Sequence, residues 1–139
     1  MSLEERCRKQ LERDEGRSST LYYDSLQIPT IGIGRNLKRG LSADEIDYLF
    51  ANDYRNHHQE LIAALPWAKD LDEARFGALL NMAFNMGVPK LLGFKNMLTA
   101  IAEARWNDAV LHALNSVWAS QVKGRAVRIA EQIRTGVWK

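Results

Sequence analysis

Residues 14–34 read DEGRSSTLYYDSLQIPTIGIG, and the change of pattern within this stretch decides the fold. Before it, the capping box of residues 2–5 begins a helix that runs to about Asp14 and that Gly16 should end. Beyond it, β-forming residues are interrupted by glycines, and Pro29 should lie at an edge or in a turn. The stretch therefore predicts a helix followed by a small, irregular antiparallel sheet.

The rest of the chain has a helical pattern. A second capping box, Ser42 with Glu45, begins a helix with no breaker before Pro66, about 24 residues or roughly 36 Å long. Apolar residues then recur at helical spacing as far as Gly87. Further helices are predicted over 93–105, 107–115, a short stretch after Ser116, and 125–135. We therefore predict an α+β protein: a sheet lobe over about 15–40, a linking helix over about 42–65, and a helical lobe over about 70–139 plus the N-terminal helix.

Composition sets wide limits on function. The 139 residues suit one domain or two small lobes, and the single cysteine, Cys7, excludes an intramolecular disulfide. The charged N-terminus lacks the apolar core of a signal peptide, so we expect synthesis in a cytoplasm. The formal net charge is +2, but residues 121–139 hold five basic residues against one acid. Such an end suits an anionic polymer, nucleic acid or bacterial wall, although an ordinary solvated helix face explains it as well.

Three residues of the opening stretch could carry chemistry. Glu15 lies at the predicted helix end, Asp24 follows the first strand, and Thr30 begins the next. Two carboxyls facing a gap are what glycoside hydrolysis requires, one protonated to donate to the leaving oxygen and the other ionised. Taken singly, each residue has a plainer explanation as a solvated helix end, a turn former or a β-former. Spacing alone therefore leaves the structural explanation ahead.

A longer set of motifs changes that balance. Asp14-Glu15-Gly16, Tyr22-x-Asp24 and Thr30-Ile31-Gly32-Ile33-Gly34 occur in this order and spacing in the phage lysozymes of the T-even type (glycoside hydrolase family 24), which the sequence resembles. The resemblance covers essentially the whole chain and continues through Asn81-Met82-x-Phe84-x-Met86-Gly87, Gly93-Phe94-x-Asn96 and Arg134-Thr135-Gly136-x-Trp138. It implies a lysozyme-like α+β fold with an N-terminal sheet lobe, a C-terminal helical lobe, a long joining helix and a cleft between the lobes.

The resemblance also implies an activity and its residues. It implies a muramidase that cleaves the β-1,4 bond between N-acetylmuramic acid and N-acetylglucosamine, with inversion. The family's acid falls on Glu15, its second carboxylate on Asp24 and its assisting threonine on Thr30, the last two orienting a water. The arginine that pairs with the acid falls on Arg125. The substrate contacts that it implies are Asn36, Phe84, Asn85, Met97 and His112.

Some positions depart from the family pattern. Gln27 stands where a glycine is common, so this turn must differ or be strained. Asn85 is one methylene shorter than the family glutamine. Arg35 replaces a histidine that pairs with an aspartate on the long helix, and that aspartate falls on Asp53. We therefore predict an ion pair between Arg35 and Asp53 that keeps its charge from pH 6 to 8.

The implied partner is peptidoglycan, with no metal or organic cofactor, no nucleic acid and no stable membrane insertion. We expect a monomer that reaches the periplasmic cell wall through holin-type release. Two alternatives stay open. A catalytically inactive wall-binding module could use the same fold, although it need not keep Glu15, Asp24 and Thr30. A helical nucleic-acid binder could use the basic C-terminus, but no helix-turn-helix or zinc spacing is visible.

Overall fold

The computed structural model describes all 139 residues, and their backbone contacts divide them into two compact units. Unit 1 is Met1–Tyr48 and unit 2 is Leu49–Lys139. Unit 1 contains a three-stranded antiparallel sheet, and the rest of the chain is mainly helical, which confirms the predicted α+β fold. The N-terminal helix, which we grouped with the helical lobe, falls within unit 1. The proposed lobe boundaries stay a prediction.

Unit 1 begins with helix α1, Leu3–Glu15. The predicted capping box is formed, because the Ser2 hydroxyl accepts from the Glu5 N–H and the Glu5 carboxylate accepts from the Ser2 N–H. The helix ends at Gly16, whose φ of +78° is readily adopted only by glycine. The chain therefore turns directly behind Glu15, as the sequence indicated.

The sheet follows as β1 (Ser18–Tyr23), β2 (Pro29–Gly32) and β3 (Arg35–Asn36), with strand order β1-β2-β3. Pro29 is the first residue of the central strand and pairs with Tyr23, so it lies at the junction of turn and strand and not on an edge strand. A proline is tolerated there because the first residue of a strand can dispense with its N–H. A short 3₁₀ turn, Leu37–Arg39, leads out of the sheet.

Helix α2, Ala43–Ala64, carries the chain from unit 1 into unit 2. Its predicted capping box is formed: Glu45 Oε1 accepts from the Ser42 N–H at 2.9 Å, and the Ser42 hydroxyl accepts from the Glu45 N–H at 3.2 Å. A 3₁₀ turn, Pro66–Asp70, follows the helix where Pro66 predicted a break. The observed bounds lie within one residue of the predicted ones.

Unit 2 holds the remaining helices: α3 (Glu73–Met86), α4 (Val88–Leu91), α5 (Lys95–Ala102), α6 (Trp106–Leu114), α7 (Val117–Val122) and α8 (Gly124–Thr135). All were predicted except α4, whose four residues are too few to show a helical period. Their apolar faces and the end of α2 form the hydrophobic core, and the largest fully buried side chains are Leu61, Leu79, Met82, Leu91, Met97, Ile101 and Ile133. No helix is both long enough and apolar enough to cross a membrane.

Candidate active site

Glu15 is the last residue of α1, and its exposed side chain lies against the backbone of Gly34 in the β2–β3 turn. A second contact ties the helix end to the residue that precedes the sheet, since Arg17 Nε donates to Glu12 Oε1 at 2.6 Å. The hydrogen bond and the charge of Arg17 lower the pKa of the Glu12 carboxyl below its ordinary value. This ion pair spans Gly16 and so braces the turn that directs Glu15 toward the sheet.

Asp24 organises the turn between β1 and β2. Its Oδ1 atom accepts hydrogen bonds from the Leu26 N–H at 2.8 Å and from the Ile28 N–H at 2.9 Å. The backbone N–H of Asp24 also donates to the Ile28 carbonyl at 3.1 Å. One carboxylate oxygen is therefore used to hold the turn, and no hydrogen bond within unit 1 involves Oδ2.

Gln27 closes the same turn, and its N–H donates to the Asp24 carbonyl at 2.9 Å. Its φ is +60°, in the left-handed region that side chains with a Cβ adopt at a cost. Of the two outcomes expected for a glutamine where glycine is common, a different turn or a strained one, this φ corresponds to the strained one. The hydrogen bonds of Asp24 hold the turn in this shape in spite of the strain.

Thr30 lies in the central strand, paired in register with Tyr22 on one side and Asn36 on the other. It is 5% exposed, and its hydroxyl donates to the Ile28 carbonyl at 2.8 Å. A threonine hydroxyl has a single proton, so Oγ1 can meet any further group only as an acceptor. Asp24 and Thr30 are thus joined through the two backbone groups of Ile28.

Arg35 has a partner that the sequence analysis did not identify. Its Nη1 atom donates to Glu45 Oε2, while the other oxygen of Glu45 accepts from the Ser42 N–H. The Ser42 N–H, followed by the Arg35 guanidinium, lowers the pKa of the Glu45 carboxyl. We had assigned Glu45 only to the capping box, which uses one oxygen and leaves the other for a cation. The predicted partner, Asp53, belongs to unit 2, and that pairing stays a prediction.

Asn36 caps the 3₁₀ turn that leaves the sheet, because its Oδ1 accepts from the Lys38 N–H at 2.9 Å. Asn85, at the end of α3, is held in a comparable way: its Oδ1 accepts from the indole N–H of Trp118 at 2.8 Å. An indole N–H can only donate, so this contact fixes the Asn85 amide with its oxygen toward Trp118. Both predicted substrate contacts therefore keep an NH₂ group as their free donor.

The other predicted substrate contacts differ in accessibility. Phe84 is 36% exposed, and its ring centroid lies 4.8 Å from that of His57 and 5.8 Å from that of Phe50. His112 is exposed on α6. Met97 is 1% exposed and belongs to the hydrophobic core, so its predicted role in contacting a sugar does not fit the structure. A long apolar side chain at a helical core position is buried in preference to facing water.

Arg125, near the start of α8, hydrogen-bonds Asn81 of α3 twice, through Nε to Oδ1 at 2.9 Å and through Nη2 to the carbonyl at 3.4 Å. These contacts lie within unit 2. Its predicted pairing with Glu15 joins residues of different units and stays a prediction. Among histidine, cysteine, aspartate and glutamate side chains, no group of three is placed to hold a metal ion.

Comparison with known proteins identifies the family of this chain. The family model described as phage lysozyme matches residues 12–134, which include all three predicted catalytic residues. The chain belongs to the phage lysozyme family. It therefore has the α+β lysozyme-like fold and is a lysozyme-type hydrolase of the bacterial cell wall.

Relatives of known description agree with the family. The chain is 30% identical to the pre-baseplate central spike protein Gp5 of Enterobacteria phage T4 over 91% of its own length, and it spans 27% of that protein. It is 28% identical to probable T4-type lysozyme 1 of Dictyostelium discoideum, with 91% of this chain and 92% of the relative covered. It is 27% identical to probable T4-type lysozyme 2 of the same organism, with 93% and 94% covered.

Proposed function

We propose that this chain is an inverting muramidase that hydrolyses the β-1,4 bond between N-acetylmuramic acid and N-acetylglucosamine in peptidoglycan. Glu15 is the general acid that protonates the leaving oxygen. Asp24 and Thr30 hold the attacking water on the opposite face of the sugar. The observation that carries the proposal is the hydrogen-bonded chain from Asp24 through Ile28 to Thr30.

This chain of hydrogen bonds leaves acceptors for a water. The Thr30 proton is committed to the Ile28 carbonyl, so Oγ1 offers lone pairs, and Asp24 keeps Oδ2 outside the turn. A water that donates one hydrogen to each oxygen has its own lone pair free to attack the anomeric carbon. As the new C–O bond forms, a water proton passes to Asp24, and the Glu15 proton passes to the departing oxygen.

Substrate binding would use donors that are free of partners within the protein. Asn36 and Asn85 each have the carboxamide oxygen occupied within the protein, so each offers N–H donors that suit the hydroxyl and acetyl oxygens of the glycan. Phe84 offers an apolar ring face, and His112 an exposed imidazole. Arg125 would pair with Glu15, and Arg35 with Asp53, as supporting contacts.

The decisive experiment replaces the acid. Glu15→Gln should fold normally and lose about 10²–10⁴-fold in the release of reducing ends from purified peptidoglycan, because an amide cannot supply the proton. Asp14→Asn is the matched control: it removes the neighbouring carboxylate, which pairs only with Arg13, and should retain activity. A Glu15→Gln variant with more than half the wild-type rate would remove Glu15 from this role. A wild-type protein that sediments with the wall but releases no reducing ends would support the inactive wall-binding alternative.

The anomeric configuration of the first product formed by the wild-type protein is a second measurement that tests the proposal. Attack by a water on the face opposite the leaving group gives the α-anomer, visible by NMR during early turnover. An inverting enzyme separates its two carboxyls by roughly 6.5–9.5 Å, which leaves room for that water. Initial formation of the β-anomer would instead indicate a retaining mechanism.

A further inference from the structure

Gly34 lies beside Glu15, and the contact leaves no room for a side chain. A Cβ atom on Gly34 would lie 2.6 Å from Oε2 of Glu15, 3.0 Å from its Cδ and 3.3 Å from its Cβ. Carbon and oxygen atoms that are not bonded stay more than 3 Å apart, so a methyl group there would overlap the carboxyl. The φ of Gly34 is +65°, in the left-handed region that favours glycine.

We propose that Gly34 is a positioning residue for the general acid, an inference that rests on the proposed role of Glu15. Glu15 is exposed at the end of α1, where a side chain with three rotatable bonds would otherwise sample many rotamers. Because Gly34 has no side chain, the side chain of Glu15 can lie along its backbone from Cβ to the carboxyl. This contact limits the positions of the carboxyl and therefore where the proton is delivered.

The turn that contains Gly34 is anchored on both sides. Thr30 pairs with Asn36 and Ile31 with Arg35 in the β2–β3 ladder, and Arg35 is held by its ion pair with Glu45. The Glu15 atom that such a Cβ would approach most closely, Oε2, is in contrast the end of a flexible side chain that can rotate about its own bonds. An added methyl group would therefore displace the carboxyl more readily than it would displace the turn.

A matched pair of variants separates this contact from backbone strain. Gly32, the last residue of β2, lies two positions before Gly34 and has a φ of +69°, and a Cβ atom on it would have no heavy atom within 4 Å. Gly34→Ala and Gly32→Ala thus place alanine in nearly the same left-handed conformation, and both should lower Tm by similar amounts. A displacement of about 1 Å at a reacting group costs on the order of 10²-fold, so Gly34→Ala should lower kcat by about that factor with little change in KM. Gly32→Ala should retain most of its activity.

A double-mutant cycle tests whether Gly34 acts through Glu15. In the Glu15→Gln background, adding Gly34→Ala should cost no further activity, since the group that it displaces is already lost. Where alanine at residue 34 prevents folding, Gly34→Asn with Gly32→Asn serves instead, because asparagine tolerates the left-handed region and still carries a Cβ.

Three outcomes would overturn the inference. Equal kcat for the Gly34→Ala and Gly32→Ala variants would show that the contact does not matter. An additive loss in the Glu15→Gln background would show that Gly34 acts by another route. A Glu15→Gln variant as active as wild type would overturn the proposed function itself and this inference with it, whereas failure of the cycle alone leaves Glu15 in its role.

Discussion

Each of the two units of this protein is stabilised internally by a different kind of interaction. Every buried apolar residue lies in unit 2, whereas Thr30 is the one buried residue of unit 1. The turn that carries Asp24 is shaped by hydrogen bonds to its own backbone, and the turn beside Glu15 by glycine conformation and an ion pair. Burial of apolar surface is not directional, so it stabilises unit 2 without depending on the orientation of individual polar groups. Hydrogen bonds are directional, so they fix the positions of individual oxygen atoms in unit 1.

The largest expected effect tests whether burial of apolar side chains stabilises unit 2 but not unit 1. Leu79 is 0% exposed in α3, and Leu79→Ala should destabilise the protein by roughly 2–5 kcal/mol through lost transfer energy and the cavity left behind. Leu26→Ala, in the turn of unit 1, is the control: Leu26 is 76% exposed, and its loss should change stability by less than about 0.5 kcal/mol. Chemical denaturation measures both. Similar losses for the two variants would contradict the contrast between the units.

A smaller effect, of opposite sign, is expected in the turn between β1 and β2, which Asp24 organises. Gln27→Gly removes a side chain from a left-handed residue and should stabilise the protein by about 1 kcal/mol, the approximate net of relieved strain and added freedom in the unfolded chain. Ser25→Gly, in the same turn but without a positive φ, should give no gain. Thermal unfolding distinguishes them. An unchanged or lower Tm for Gln27→Gly would mean that the strain is offset by contacts of the glutamine side chain.

The smallest effect concerns the ion pair of Arg35. Glutamine can still cap a helix at the third position, so Glu45→Gln removes the charge and keeps the capping box. Because folding lowers the pKa of Glu45, its contribution is present above the unfolded pKa and lost as the pH falls through the folded one. Glu45→Gln should therefore lower Tm slightly at pH 7 and progressively less as the pH falls below the ordinary pKa of a glutamate, and the loss should be smaller in an Arg35→Gln background, where the hydrogen bond from the Ser42 N–H remains.

Asp53→Asn tests the other partner predicted for Arg35. An Arg35–Asp53 pair would make this variant lower Tm equally at pH 6 and pH 8, because the ordinary pKa values of aspartate and arginine side chains both lie outside this range. No loss at either pH would leave Glu45 as the partner that matters. Comparison of Glu45→Gln with Asp53→Asn therefore shows which of these two carboxylates of α2 pairs with Arg35.

The sequence predicted well wherever a few neighbouring residues settle the outcome. Both capping boxes were found, because the groups involved are three residues apart and meet in any helix that starts there. The helix ends at Gly16 and Gly87 followed from glycine conformation. The strain at Gln27 followed from a residue type that does not match its backbone position. The resemblance to the phage lysozymes then selected Glu15, Asp24 and Thr30 from many ordinary polar residues.

The tertiary structure decided what depends on residues distant in the chain. The burial of Met97, the contact of Trp118 with Asn85 and the choice of Glu45 by Arg35 each join segments between which the sequence pattern sets no distance. The approach of Gly34 to Glu15 is of the same kind, since nineteen positions separate them along the chain. Local propensity and capping act over a few residues, so the sequence by itself determined the elements and their ends. Packing and hydrogen bonding between those elements fixed the partners of each side chain, and only the folded chain brings those partners together.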